Sequence, residues 1–141
     1  MHSHSVTLTA TSDVATYITA GRAVFTLVSH KTNRRYTFRM RKGAKCFFID
    51  VLIGSDNVTD YEYLGSVHNL DGEVFNRKRP MMAVDPRARA INWLLRQLSN
   101  GDELPETVEF FTSGKCAVCG RALTTPESVA RGIGPKCFER L

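Results

Sequence analysis

No stretch of this 141-residue chain approaches the roughly 20 consecutive apolar residues that a membrane-spanning helix needs. The opening Met1-His-Ser-His-Ser has neither the charged start nor the apolar core of a secretory signal, so the expected location is the cytoplasm of the producing or host cell. There is no glycine-rich phosphate loop, no nucleophile–base arrangement and no pair of acids in a recognisable catalytic context. A His-x-Glu segment, which zinc deaminases combine with their cysteines, is also missing. Internal repeats and low-complexity tracts are absent. Together these absences point away from a membrane protein and away from an enzyme, and towards a small binding protein.

Acidic residues are outnumbered, 14 against 19 Lys and Arg, for a net charge of +5. A basic balance favours an anionic partner, nucleic acid being the commonest, although a merely basic surface gives the same count. The apolar fraction of 43% is enough for a packed core, and the length suits one domain with a small appendage. In a cytosolic chain the four cysteines are thiols or metal ligands before they are disulfides.

Asp13 is placed to cap a short helix over Val14 to Ala20, which Gly21 ends. The segment Ala23 to Val28 is rich in strand formers. A polar turn follows, with Asn33 suited to a left-handed conformation. Tyr36, Phe38 and Met40 then alternate with Arg35, Thr37, Arg39 and Arg41, a half-buried strand that completes a hairpin. Cys46 to Ile53 is apolar on both faces and reads as an interior strand. Tyr61 to Val67 is another strand, and Asp71-Gly72 turns the chain into a short strand from Glu73 to Asn76. Asp85 and Pro86 open the clearest helix. Ile91, Leu94, Leu95 and Leu98 form its buried stripe, Arg89, Asn92 and Arg96 lie opposite, and Asn100-Gly101 ends it. Leu104 to Phe111 is a last strand.

Cys116 and Cys119, two residues apart and followed by Gly120, form a turn that aims two thiolates at one metal. After 17 intervening residues comes Cys137, in Gly132-Ile-Gly134-Pro135-Lys136-Cys137. Pro135 suits a first helical turn, where backbone N–H groups and the helix dipole favour a thiolate. The predicted ion is zinc, held by Cys116, Cys119 and Cys137. The tail has too few apolar residues for its own core, so ligation is expected to supply much of its folding energy. A redox pair at Cys116 and Cys119, or three unrelated buried thiols, would fit the same residues. The fourth ligand is open: Cys46, His30 and His68 from the body, or Glu127 and Glu139 from the tail. Cys46 also reads as a small hydrophobe in its strand.

The tail Gly114-Lys-Cys-Ala-Val-Cys-Gly-Arg-Ala-Leu-Thr-Thr-Pro-Glu-Ser, with Gly132-Ile-Gly-Pro-Lys-Cys, resembles a family of uncharacterised proteins found mainly in bacteriophages and actinobacteria. The body resembles the same family at Ala20-Gly-Arg-Ala-Val-Phe-Thr-Leu-Val-Ser29 and at Leu52-Ile-Gly-Ser-Asp-Asn-Val-Thr-Asp-Tyr-Glu-Tyr-Leu-Gly65. The resemblance implies a phage or mobile-element origin and carries no substrate or catalytic residue. Family members often have a histidine shortly before the first cysteine, where this chain has Thr112.

Lys31, Arg34, Arg35, Arg39, Arg41, Lys42 and Lys45 fall within 15 residues that contain no acid. Arg35, Arg39 and Arg41 share a strand face and form a stripe able to follow a phosphate backbone. Arg77-Lys78-Arg79 is a second basic cluster. Tyr61 and Tyr63 share a face and are placed to stack on bases, or else to fill the core. Asp50, in an otherwise apolar strand, is more simply a hydrogen-bonded structural acid than a catalytic one.

The expected fold is therefore α+β: an antiparallel sheet of about four to six strands, one covering helix and a C-terminal zinc module. The expected division is an α+β domain over 1–111 and a zinc module over 112–141, with roughly the first ten residues outside the packed structure. The expected function is nucleic-acid binding of phage or prophage type. The alternative is a protein–protein inhibitor or adaptor acting on a host protein.

Overall fold

A computed structural model describes residues 7–56, 59–78, 84–123 and 126–140, with side chains from 126 to 128 left aside. Six strands form one antiparallel sheet in the order β1-β6-β2-β3-β4-β5. They are β1 (Thr7–Leu8), β2 (Arg22–Ser29), β3 (Arg34–Lys42), β4 (Phe47–Leu52), β5 (Tyr61–Val67) and β6 (Val108–Thr112). The helices are α1 (Thr11–Ile18), α2 (Pro86–Asn100), α3 (Pro126–Arg131) and α4 (Pro135–Glu139).

Strand alternation decides which residues enter the core. Phe25 faces Phe38 and Leu27 faces Tyr36 across β2 and β3, while Ile49, Val51, Leu64 and Phe110 join the same side. Phe25 stacks on Phe110 at 5.0 Å, and Tyr17 of α1 meets Phe110 edge-on at 5.9 Å. Two helices cover this face rather than the one expected: α1 buries Val14, Tyr17 and Ile18, and α2 buries Ala88, Ile91, Leu94, Leu95 and Leu98.

Helix α2 begins and ends where the sequence places its signals. The Asp85 carboxylate accepts from the Arg87 N–H at 2.8 Å, Pro86 follows, and Gly101 takes a left-handed φ of 72°. Asn33 in the β2–β3 turn is left-handed too, with φ 56°.

Other local expectations require correction. Asp13 lies inside the first turn of α1, whose N-cap is Ala10 with no side-chain cap hydrogen bond. Cys46 precedes β4, and its carbonyl accepts from Gly43 N–H at 2.7 Å. Residues 73–76 make only an isolated bridge, Ser66 to Phe75. The reason lies in Asn92, expected to be a plain solvent-facing residue. Its side-chain oxygen accepts from Val74 N–H at 2.8 Å, pinning this segment to α2 instead of to a longer ladder. Thr7 and Leu8, expected outside the packed structure, pair with Phe111 and Phe110 at the sheet edge. The last strand is Val108–Thr112, so the expected boundary at 111/112 falls inside it.

The tail does not stand apart from the body. Cys116, Ala117, Leu123 and Ile133 belong to the same apolar core as Tyr17 and Phe110. The tail's few apolar residues therefore need no core of their own, whatever a bound metal adds. The tail borrows the sheet's core, and burial of Leu123 and Ile133 contributes about 2 kcal/mol each.

Candidate metal centre and the open sheet face

Cys116 and Cys119 sit on a short loop closed by a bridge between Lys115 and Ala122. Within it Cys116 N–H donates to Arg121 O at 2.8 Å, and Gly120 N–H donates to Cys116 O at 2.9 Å. Gly120 is left-handed, φ 80°, which lets the backbone fold back and bring both thiols to one side. Cys137 comes from α4, where Pro135 occupies the first turn as the sequence predicts. The three sulfur atoms lie within 4.8 Å of one another.

The donor chemistry fits a soft cation. Burial opposes the Cys116 thiolate, but N–H groups of Gly134, Cys119 and Val118 outweigh it and bring the thiol down to about 7. Gly134 N–H points at Cys116 Sγ from 3.2 Å and Val118 N–H from 3.4 Å. Desolvation and its two thiol neighbours push Cys137 up to about 11. Three sulfurs this close cannot all be anionic without a cation among them. The three thiols therefore titrate as a coupled set, in which Cys137 is the one pushed up. Cys116, Cys119 and Cys137 are therefore the residues that would hold a metal ion, and a tetrahedral ion would complete their charge balance.

Of the fourth-ligand candidates, none with a described side chain joins the cluster. His30 is paired with Glu109, and His68 Nδ1 lies 3.3 Å from Lys45 O. Cys46 and Glu139 lie outside the group as well. The Glu127 side chain falls outside the described residues. Thr112 is buried on β6, and its hydroxyl has no hydrogen-bond partner among the described residues.

The second face of the sheet carries no helix among the described residues. Val24, Thr26, Val28, Arg35, Thr37, Arg39, Arg41, Phe48, Tyr61 and Tyr63 point to it, and all are partly or fully exposed. Sequence reasoning placed Arg35, Arg39 and Arg41 together, and the structure agrees. It did not foresee that Asp50 would face them. Asp50 is only 3% exposed. Its Oδ2 accepts from Arg39 Nε at 2.9 Å and from Arg41 Nε at 2.8 Å, and its Oδ1 accepts from Arg41 Nη2 at 3.1 Å. The stripe of three equivalent free cations is thus corrected: two of its members are tied to a buried carboxylate. The cue was available, since an acid in an apolar strand needs partners and the neighbouring strand offers arginines at alternate positions.

Aromatic rings complete this face. The Arg39 guanidinium lies 4.3 Å from the Tyr61 ring centre and that of Arg41 5.4 Å from Phe48. The Phe48 and Tyr63 rings are 6.4 Å apart, and Tyr63 is 43% exposed. The rest of the basic run disperses. Lys31 and Arg34 turn to the helix side of the sheet, and Lys42 and Lys45 are exposed around the β3–β4 connection. Arg77 and Lys78 are exposed beyond β5, and Arg79 lies outside the described residues.

A family of unknown function (DUF6011) matches residues 107–141, that is, β6 and the three-cysteine segment. No curated protein matches the chain, and no solved structure does. No helix of the described residues is long and apolar enough to cross a membrane.

Proposed function

We propose that this is a small zinc-containing protein that binds single-stranded nucleic acid on its open sheet face, acting in the cytoplasm of a phage or prophage host. The observation that carries the reading is the exposed Tyr63 ring, set beside Phe48 on a face that carries no helix among the described residues and also presents Arg35, Arg39 and Arg41. A flat sheet with exposed rings and arginines is how several single-strand binders engage bases and backbone. With Asp50 neutralising one charge, this arginine set carries a net +2, and the rings do the larger share of recognition. Zinc is favoured for the cysteine cluster because three thiolate donors suit a borderline-soft tetrahedral ion. The phage setting rests on the resemblance of the tail and body segments. The reading is of binding, not catalysis.

Anisotropy titrations with single-stranded DNA and RNA across a salt series test it. Affinity should fall as salt rises, and Tyr63→Ala should weaken binding by roughly tenfold, the value of one lost base stack, without lowering the melting temperature. If the wild-type protein binds neither DNA nor RNA at low salt, the reading is wrong. An acidic host protein would then be the better partner for this face.

A further inference from the structure

A cleft of about 770 Å³ opens on the helix side of the sheet, between the β2–β3 turn, the first turns of α2 and the segment leading into β6. Its volume lies in the range of small-molecule sites. Tyr36 and Trp93 give it aromatic walls, while Lys31, Arg34 and Arg89 supply three cations. No carboxylate of a described residue lines it. Of the acids that flank the lining in sequence, Asp85 holds Arg87 and Glu109 pairs with His30, while Glu106 is exposed and is not among the lining residues. Neither Lys31 nor Arg89 makes an ion pair with a described residue. Arg34 Nη1 donates to the Tyr36 hydroxyl at 3.1 Å, so one cation and one ring are already held together. An unpaired cation trio beside two rings complements a ligand that carries several negative charges on a planar apolar body.

We propose that this cleft binds a nucleotide, with its phosphates on Lys31, Arg34 and Arg89 and its base against Trp93 and Tyr36. The nucleotide is either free or the phosphorylated end of a strand. This site is on the opposite side of the sheet from Tyr63 and stands independently of the open-face reading.

Trp93 is the only tryptophan in the chain, so its fluorescence reports on this cleft alone. The full-length protein would be titrated with ATP, adenosine, tripolyphosphate and a 5′-phosphorylated single-stranded trinucleotide, with calorimetry in parallel. ATP or the trinucleotide should give a saturable change in Trp93 emission, with adenosine and tripolyphosphate each at least about tenfold weaker. The tighter of the two nucleotide ligands identifies the source. Lys31→Ala and Arg89→Ala should each weaken binding by roughly tenfold and leave the melting curve in place, because both side chains are exposed. Tyr63→Ala should change nothing here, which separates this outcome from failure of the open-face reading. A tripolyphosphate affinity equal to that of ATP would reduce the cleft to a bare anion patch and overturn the proposal. So would the absence of any saturable response, or undiminished binding by the Lys31→Ala/Arg89→Ala protein.

Discussion

Gly132 lies against the ring of Tyr17, so close that a Cβ on residue 132 would overlap ring carbons Cδ1 and Cε1. Gly132 also has a φ of 76°, a conformation that side chains disfavour. The ring cannot easily move aside. Tyr17 is fully buried, and its hydroxyl donates to Val24 O at 2.8 Å. The Gly132 carbonyl in turn accepts from Ala117 N–H at 2.9 Å, beside Cys116. Body and cysteine loop thus meet at this glycine.

Gly132→Ala should therefore be costly, by about 2–4 kcal/mol from overpacking and backbone strain combined. Gly101→Ala, left-handed as well but with open space around its Cβ, should cost about 1 kcal/mol. Chemical denaturation of both variants checks the contrast. Equal midpoints would show that the Tyr17 contact is unimportant.

Metal content is the second prediction. The purified protein should carry about one zinc per chain, because only this one set of cysteines has ligand geometry. Ligation needs thiolates, and the thiol neighbours of Cys137 push it up to about 11, so zinc uptake near neutral pH should release protons from the cluster and weaken as pH falls. Elemental analysis, with uptake followed in a weakly buffered indicator solution, measures both. Zinc-free protein with three freely titratable thiols, or uptake without proton release, would contradict the assignment.

Replacing Arg39 and Arg41 together by Ser should destabilise the fold by about 2 kcal/mol, since it strands the buried Asp50 carboxylate. Solvent screens both partly exposed guanidinium groups and holds the loss to that size. Arg35→Ser should stay within about 0.5 kcal/mol. Adding Asp50→Asn to the double variant should recover part of the loss. Thermal melts that rank Arg35→Ser as the most damaging change would refute this account of the sheet.

Asp85 ties stability to pH. Its hydrogen bonds from Arg87 hold the folded carboxyl below the ordinary value of 3.8. A depressed folded pKa contributes stability that is fully present above the unfolded value and is lost as pH falls through the folded one. Asp85→Ala should thus cost about 1 kcal/mol at neutral pH, and the gap to wild type should close in acid below pH about 4. Denaturant midpoints at neutral and acidic pH test this. A gap that widens in acid would have the wrong sign.

Local signals and tertiary decisions separate cleanly along this chain. The limits of α2, the turn at Asn33 and the alternation of β3 were all legible, because capping, left-handed turns and a period of two depend on neighbours a few residues away. All three members of the cysteine cluster were legible for the same reason: Cys116 and Cys119 share one turn, and Pro135 marks the helix that brings Cys137. Distant partners were not legible. That Asp50 would hold Arg39 and Arg41, that Asn92 would take the Val74 N–H, and that Ile133 would fill the core beside Tyr17 depend on strand register and helix placement. The same holds for Arg34 and Arg35, adjacent in sequence, which the pleat of β3 sends to opposite sides of the sheet. Composition and spacing supplied the basic residues, the rings and the thiols, because those are properties of single residues and short segments. Which of them stand free and which are spent on one another was decided only when the sheet closed, since pairing energies depend on distances that no local pattern specifies.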